Sequence, residues 1–177
     1  MDEARVGLIP TYRRRWAKIG QRPIASSKRV YQWGYDFAFV HPATGRCHHW
    51  FCSTVDTDMM TAVLAAFAVE AGARPERQIV LVLDGAGWHR SDKIQVPSHV
   101  HLALLPPYSP ELQPAEKLFP LINEALANRE FRNMQDLEAT WARRILALDQ
   151  QQELVRGSLC FHWWPKDVPR EVYCVAS

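Results

Sequence analysis

The chain has 177 residues, of which 47% are apolar and 23% charged, a composition that is ordinary for a globular protein and argues against wholesale disorder. This length suits one domain with a substantial buried core. The formal net charge of +2 is too small to argue for or against a nucleic-acid partner until the distribution of charges is considered.

The first third of the chain is predicted to form a strand, a basic loop and a hairpin. Residues 2–9 predict a short strand that Pro10 ends. Residues 11–29 predict a loop with several basic residues and no acidic one. Aromatic and β-branched residues predict two further strands over 30–40 and 46–53, joined by a turn.

The rest of the chain alternates helices and strands. Asp56 is the expected N-cap of a helix that Gly72 stops. Residues 78–83 are a continuous apolar run, which predicts a strand buried on both faces. A strand and two helices are then predicted over 98–105, 114–127 and 134–149. The pattern indicates an α/β domain over residues 1–150, with residues 151–177 as a C-terminal extension.

The sequence predicts a cytoplasmic protein that does not span a membrane. No apolar run approaches the roughly 20 residues of a membrane span, and the N-terminus lacks the pattern of an export signal. Without C-x-x-C spacing, reduced thiols are expected at Cys47, Cys52, Cys160 and Cys174. His48 and His49 lie near Cys47, but strand alternation would send successive side chains to opposite faces, which argues against a zinc site.

Three carboxylates lie where they can converge on a divalent cation. Asp84 follows the apolar strand, Glu116 lies in the first turn of a helix after a proline-rich loop, and Asp2 opens the chain. Two ions about 3.5–4 Å apart, held by such oxygens with Asp84 between them, suit phosphodiester chemistry. Each acid alone has a structural explanation, as an N-cap, a partner of a helix dipole or a frayed terminus. Their joint occurrence favours a metal site.

Two features near these acids suggest supporting roles. His89 can orient a phosphate or water, or it can bond the turn that follows Asp84, and the supporting role is favoured. Gly85 and Gly87 permit close approach of the backbone to a ligand, although a tight turn would use them equally well.

The basic loop is a candidate DNA contact. Its one-signed charge in a nearly neutral chain favours binding to phosphates, and Tyr12 and Trp16 are available for stacking on bases. The alternative is a solvated loop face. The expected contacts are Arg13, Arg14, Arg15, Lys18 and Arg22.

Three blocks carry a family resemblance: Asp2–Leu8, Leu83–Ser91 and Leu105–Glu116. With them the chain resembles the catalytic domain of bacterial insertion-sequence transposases of the mariner superfamily, often labelled DDE superfamily endonucleases. Gln113 stands where the family usually has Asn. Glu111 lies at a loop position that the family does not use for metal.

The resemblance implies an RNase H-like fold, with a five-stranded mixed sheet flanked by helices. It implies that Asp2, Asp84 and Glu116 are the catalytic and metal-binding acids, with two Mg²⁺ or Mn²⁺ ions. Such enzymes nick DNA at element ends and then use the freed 3′-hydroxyl to attack target DNA.

The resemblance also implies partners. These are transposon-end and target DNA and a second copy in a homodimer, with nucleoid association when the enzyme acts. The family has an N-terminal helix-turn-helix region before the position of Asp2, so a separate region is expected to recognise the ends. The alternatives are a truncated, inactive remnant that binds DNA weakly at most, and a stand-alone RNase H-like nuclease.

Overall fold

The computed structural model describes residues 1–24, 29–85, 89 and 92–159. Gly87, Cys160 and Cys174, which are named in the sequence analysis, lie outside these residues. The elements are β1 (Asp2–Gly7), β2 (Trp33–His41), β3 (Arg46–Cys52), α1 (Thr57–Ala71), β4 (Ile79–Leu83), β5 (Val100–Leu104), α2 (Ala115–Asn123), α3 (Met134–Asp149) and α4 (Gln152–Leu159). The predicted order of elements is confirmed as far as α3, whereas α4 is an additional helix within the predicted C-terminal extension.

The sheet is divided into two parts. β1, β2 and β3 form an antiparallel sheet in that order, and β4 and β5 form a separate parallel pair. The expectation of one five-stranded sheet is therefore wrong. The parts meet where the Met1 α-amino group donates a hydrogen bond of 2.7 Å to the Val82 carbonyl. This single contact is not part of a ladder between β1 and β4.

Strand alternation divides the core into two clusters. Phe37 and Ala38 are neighbours in β2, yet they belong to different clusters because successive side chains of a strand point to opposite faces. Phe37 packs with α1 and with the inner residues of β4. Ala38 packs with α2, α3 and α4, and the buried Val155 and Leu159 join α4 to this cluster. Helices therefore cover both faces of the three-stranded sheet.

The local signals at α1 are confirmed. The Asp56 side chain accepts a hydrogen bond of 2.8 Å from the Met59 N–H, and Gly72 ends the helix at a φ of +72°. α2 ends before the predicted residue 127. Beyond Asn123 the chain continues as turns in which i→i+3 and i→i+4 bonds are mixed, as in those from the Leu126 and Ala127 N–H groups to the Asn123 carbonyl.

The predicted burial of β4 on both faces is wrong. Leu81 and Leu83 are buried against α1, whereas Val80, on the other face, is 46% exposed. Among the described helices, none combines the length and apolar character of a membrane span.

A buried polar cluster anchors α3 to the sheet. Asp36 of β2 is 1% exposed. Its Oδ2 accepts a hydrogen bond of 3.1 Å from the Trp141 Nε1–H, and its Oδ1 lies 3.0 Å from the His49 Nδ1. His48, the neighbour of His49, instead contacts Glu70 of α1 on the opposite face. The two histidines therefore serve different helices.

Trp141→Phe should lower the free energy of unfolding by about 1–3 kcal/mol, because it leaves a buried carboxylate oxygen without its donor. Urea unfolding of the purified chain measures this change. Trp16→Phe is the matched control, since Trp16 is fully exposed and the same change there should alter stability by less than about 0.5 kcal/mol. Equal effects of the two substitutions would contradict the anchoring role of Trp141.

Candidate active site

The three predicted acids come from three different elements. Asp2 opens β1, Asp84 directly follows β4, and Glu116 lies in the first turn of α2. Asp2 is half-buried, whereas Glu116 and Asp84 are exposed, the latter with 54% of its side chain accessible. Glu111 lies apart from them on a short 3-10 turn, Pro110–Leu112.

The backbone of Met1 joins the segments that carry these acids. Its α-amino group is bonded to Val82, two residues before Asp84. Its carbonyl accepts a buried hydrogen bond of 2.6 Å from the Gln113 Nε2, three residues before Glu116. The end of β4 and the loop before α2 are therefore both fixed against the start of β1.

Asp2 and Glu116 share one electrostatic environment. Burial raises the pKa of Asp2 from 3.8 to about 7, and the negative charge of Glu116 adds to the rise. A hydrogen bond of 2.9 Å from the Glu3 N–H to Asp2 Oδ1 acts in the opposite direction. The fold thus brings these two acids close enough for their charges to interact.

Asp84 is held by the predicted supporting residue. The His89 Nδ1 lies 2.7 Å from Asp84 Oδ1, and the His89 Nε2 lies 2.8 Å from Glu3 Oε1. Burial alone would lower the pKa of His89, but the hydrogen bond and charge of Glu3, together with Asp84, raise it above its ordinary value. His89 thus connects the third acid to β1.

The donor chemistry of these acids suits a hard divalent cation. Within residues 1–24, 29–85, 89 and 92–159, no three His, Cys, Asp or Glu side chains are arranged to hold a metal ion. Asp2 nevertheless faces the charge of Glu116 in a half-buried position, and a cation relieves such repulsion between carboxylates. Carboxylate oxygens are also the ligands that Mg²⁺ and Mn²⁺ prefer.

Glu3 and Gln113 are residues whose contacts sequence reasoning missed. Gln113 is buried, and its Oε1 has no hydrogen-bond partner among the residues that the structure describes. The sequence gives only a weak indication of the role of Glu3. Strand alternation shows that Glu3 points to the face opposite Asp2, but it does not show what Glu3 contacts there. The partner of Glu3 lies 86 positions away in the chain and the partner of Gln113 lies 112 positions away, so no local pattern identifies these contacts.

The basic loop is fixed at one end. Asn128 accepts a hydrogen bond of 3.0 Å from the Arg13 N–H, donates one of 3.1 Å to the Arg13 carbonyl and bonds the Thr11 carbonyl through its own N–H. The Arg13 guanidinium donates to the Pro120 carbonyl. The side chains beyond this anchor that are exposed include Arg14, Arg15, Lys18 and Arg22, together with Trp16.

Comparisons with known proteins agree with this fold. A family model described as DDE superfamily endonuclease matches residues 1–138. An uncharacterized protein of Sinorhizobium fredii, y4pE/y4sA, is 37% identical over 108 residues, which are 59% of this chain and 77% of that protein.

Solved structures of Mos1 transposase complexes are also similar. A pre-cleavage Mos1 transpososome matches with a TM-score of 0.58 at 15% identity, over 92% of this chain and 56% of that chain. A Mos1 mariner paired end complex with Mn matches with a TM-score of 0.56 at 16% identity, over 90% and 54%. The chain thus spans just over half the length of these relatives. Its mixed α/β fold is similar to the RNase H-like catalytic domain of Mos1, as predicted, apart from the divided sheet.

Asp2→Asn should stabilise the metal-free chain at pH 8 and change its stability little at pH 4. A carboxyl group with a raised pKa destabilises the folded state increasingly between its ordinary value of 3.8 and about 7, and fully above that pH. The expected gain at pH 8 is about 1–2 kcal/mol, after allowance for solvent screening.

Urea unfolding between pH 4 and pH 8 measures this gain. Asp92→Asn, on an exposed turn, is the matched control and should show no such growth with pH. A gain for Asp2→Asn that is the same at both ends of the range would contradict the assigned electrostatics.

Proposed function

We propose that this chain, which belongs to the DDE superfamily endonucleases, is the catalytic domain of a DNA transposase that cleaves and joins DNA strands with Asp2, Asp84 and Glu116. The observation that carries the proposal is the electrostatic interaction of Asp2 with Glu116 at the Met1 junction, to which the strand before Asp84 is also bonded. Carboxylates whose charges interact in this way are suited to binding a cation.

The three acids would hold two Mg²⁺ or Mn²⁺ ions. Bound there, the ions supply an activated oxygen nucleophile and stabilise the leaving oxygen of a phosphodiester. One of the similar Mos1 complexes is described as containing Mn, which supports this choice of metal. Met1 and Gln113 are buried, whereas Asp84 and Glu116 are exposed to solvent. The two exposed acids are therefore accessible to a DNA strand.

DNA is the proposed substrate, and the basic loop is its proposed second contact. β1 begins at Asp2 and runs toward the loop, so the length of its 6 residues, roughly 17–20 Å, lies between Asp2 and the residues that lead into the loop. Arg14 and Arg15 are thus suited to bind phosphates away from the cleaved bond.

The proposal includes two further partners. A similar structure is a Mos1 transposase paired-end complex with the left transposon end, which supports transposon-end DNA as substrate and a pair of catalytic domains as the working unit. We therefore include a homodimer of this chain in the proposal. Recognition of the end sequence is assigned to a separate helix-turn-helix region.

Asp84→Asn should reduce Mn²⁺-dependent nicking of transposon-end DNA at least about 100-fold, while the chain stays folded. The amide keeps the oxygen that accepts from His89 but loses the negative charge that binds a cation. Nicking of a labelled duplex by the purified chain is the measurement. Glu111→Gln, in the loop before Glu116, is the matched control and should retain activity. Full activity of Asp84→Asn would refute the triad.

The same assay separates the alternative functions. Nicking that persists without strand transfer, when paired transposon ends and target DNA are supplied, would favour a stand-alone nuclease. The absence of both reactions, together with the absence of Mn²⁺ binding, would favour an inactive remnant.

Replacement of both Arg14 and Arg15 by Gln should weaken DNA binding and reduce the slope of log affinity against log salt by up to about 1.8, since each lost phosphate contact contributes about 0.9. Fluorescence anisotropy at several salt concentrations measures the slope. Arg74→Gln is the control, because Arg74 precedes β4 and lies at the opposite end of that strand from Asp84. An unchanged slope would indicate that the basic loop is a solvated surface that does not contact DNA.

A further inference from the structure

Glu3 and Asp2 are neighbours on β1 that serve opposite faces of the sheet. In the register with β2, Asp2 lies opposite Ala38 and Glu3 lies opposite Phe37, and these two partners belong to separate core clusters. Asp2 therefore faces the side of α2, where it meets the charge of Glu116. Glu3 extends to the side of α1, where its side chain is only 6% exposed.

The imidazole of His89 lies between Glu3 and Asp84 and is fully buried. Its Nε2 is 2.8 Å from Glu3 Oε1, and its Nδ1 is 2.7 Å from Asp84 Oδ1. The two contacts lie on different nitrogens of the same rigid ring, so together they fix the orientation of the imidazole.

Asp84 needs such an external constraint. It lies one residue beyond β4, and its side chain is 54% exposed, so packing does not select one rotamer for it. Its Oδ1 is instead placed by a ring that Glu3 holds from the far side. Glu3 belongs to the strand that carries Asp2, so this connection fixes two acids of the site relative to each other.

We infer that Glu3 is a positioning residue of the acidic site, which acts on Asp84 through His89. The inference rests on the proposed function, since it concerns how Asp84 is held for a divalent cation. Groups that orient metal ligands typically contribute about 10–100-fold to metal affinity. An effect of the Glu3 charge alone is the competing explanation, because any nearby carboxylate attracts a cation.

The experiment is calorimetric titration of Mn²⁺ into the full chain and its variants. Glu3→Gln should weaken binding about 10-fold. Glu3→Asp keeps the charge but shortens the reach to His89, so it should also weaken binding. In a chain that already carries His89→Asn, Glu3→Gln should cause no further loss, because the intermediary is absent.

Glu70→Gln is the matched control. Glu70 lies on the exposed surface of α1, and its Oε1 is 2.9 Å from the His48 Nδ1. The change therefore removes the carboxylate of a histidine–carboxylate pair that lies outside the site. It should leave Mn²⁺ affinity unchanged. Urea unfolding of each metal-free variant establishes that the chain is folded, and Glu3→Asp carries the test if Glu3→Gln does not fold.

The outcomes separate this inference from the proposed function. Wild-type affinity in Glu3→Asp, or an added loss from Glu3→Gln beside His89→Asn, would overturn positioning in favour of charge alone. Unchanged binding in Glu3→Gln, with binding lost in Asp84→Asn, would overturn the inference and leave the proposed function standing. No difference between Asp84→Asn and the wild-type chain would overturn both.

Discussion

The hydrogen bonds of one backbone residue hold the acidic site together. Met1 donates from its α-amino group to Val82 and accepts at its carbonyl from Gln113; the first bond is partly buried and the second is buried. Buried polar groups must find partners, so neither bond can be lost without a cost of about 1–3 kcal/mol. The two bonds therefore act as a rigid joint between β1, the end of β4 and the loop before α2.

The joint brings together charges that do not favour the folded state on their own. Burial lowers the pKa of the Met1 α-amino group to about 6, while the pKa of Asp2 rises to about 7. At neutral pH the Met1 α-amino group is therefore mostly uncharged, and Asp2 is only partly ionised. A cation bound by the carboxylates would supply the missing positive charge. The empty site therefore lowers the free energy of unfolding, and a bound cation would raise it again.

Local signals made much of the fold predictable. The Asp56 cap and the Gly72 stop of α1 were readable because each acts within one turn of the helix. The exposure of Val80 was not, because an apolar run gives no information on which face a helix covers. The division of the sheet was also unpredictable, since it depends on how few backbone groups of β1 reach β4.

The acids of the proposed site stand out in the sequence as residues, but their relative geometry does not. Asp2, Asp84 and Glu116 stand out by their positions at element boundaries, which a sequence displays. The contacts that orient them come from Glu3, His89 and Gln113 across long stretches of chain. All three lie in the sequence blocks that carry the family resemblance, but only His89 was predicted to have a supporting role. The other two are ordinary polar residues whose roles arise from strand alternation and loop packing.

The elements that carry the acids also determine where DNA would be bound. Asp2 opens β1 and Glu116 lies in the first turn of α2, and the segments that follow these elements meet again where Asn128 binds Thr11 and Arg13. The basic loop is therefore attached to the same rigid pair as two of the acids. Its exposed guanidinium groups are suited to phosphates, and phosphate contacts fix a protein on DNA without reading base sequence. Within the described residues, this geometry suits placing a strand at the acids, while the choice of sequence must come from other contacts.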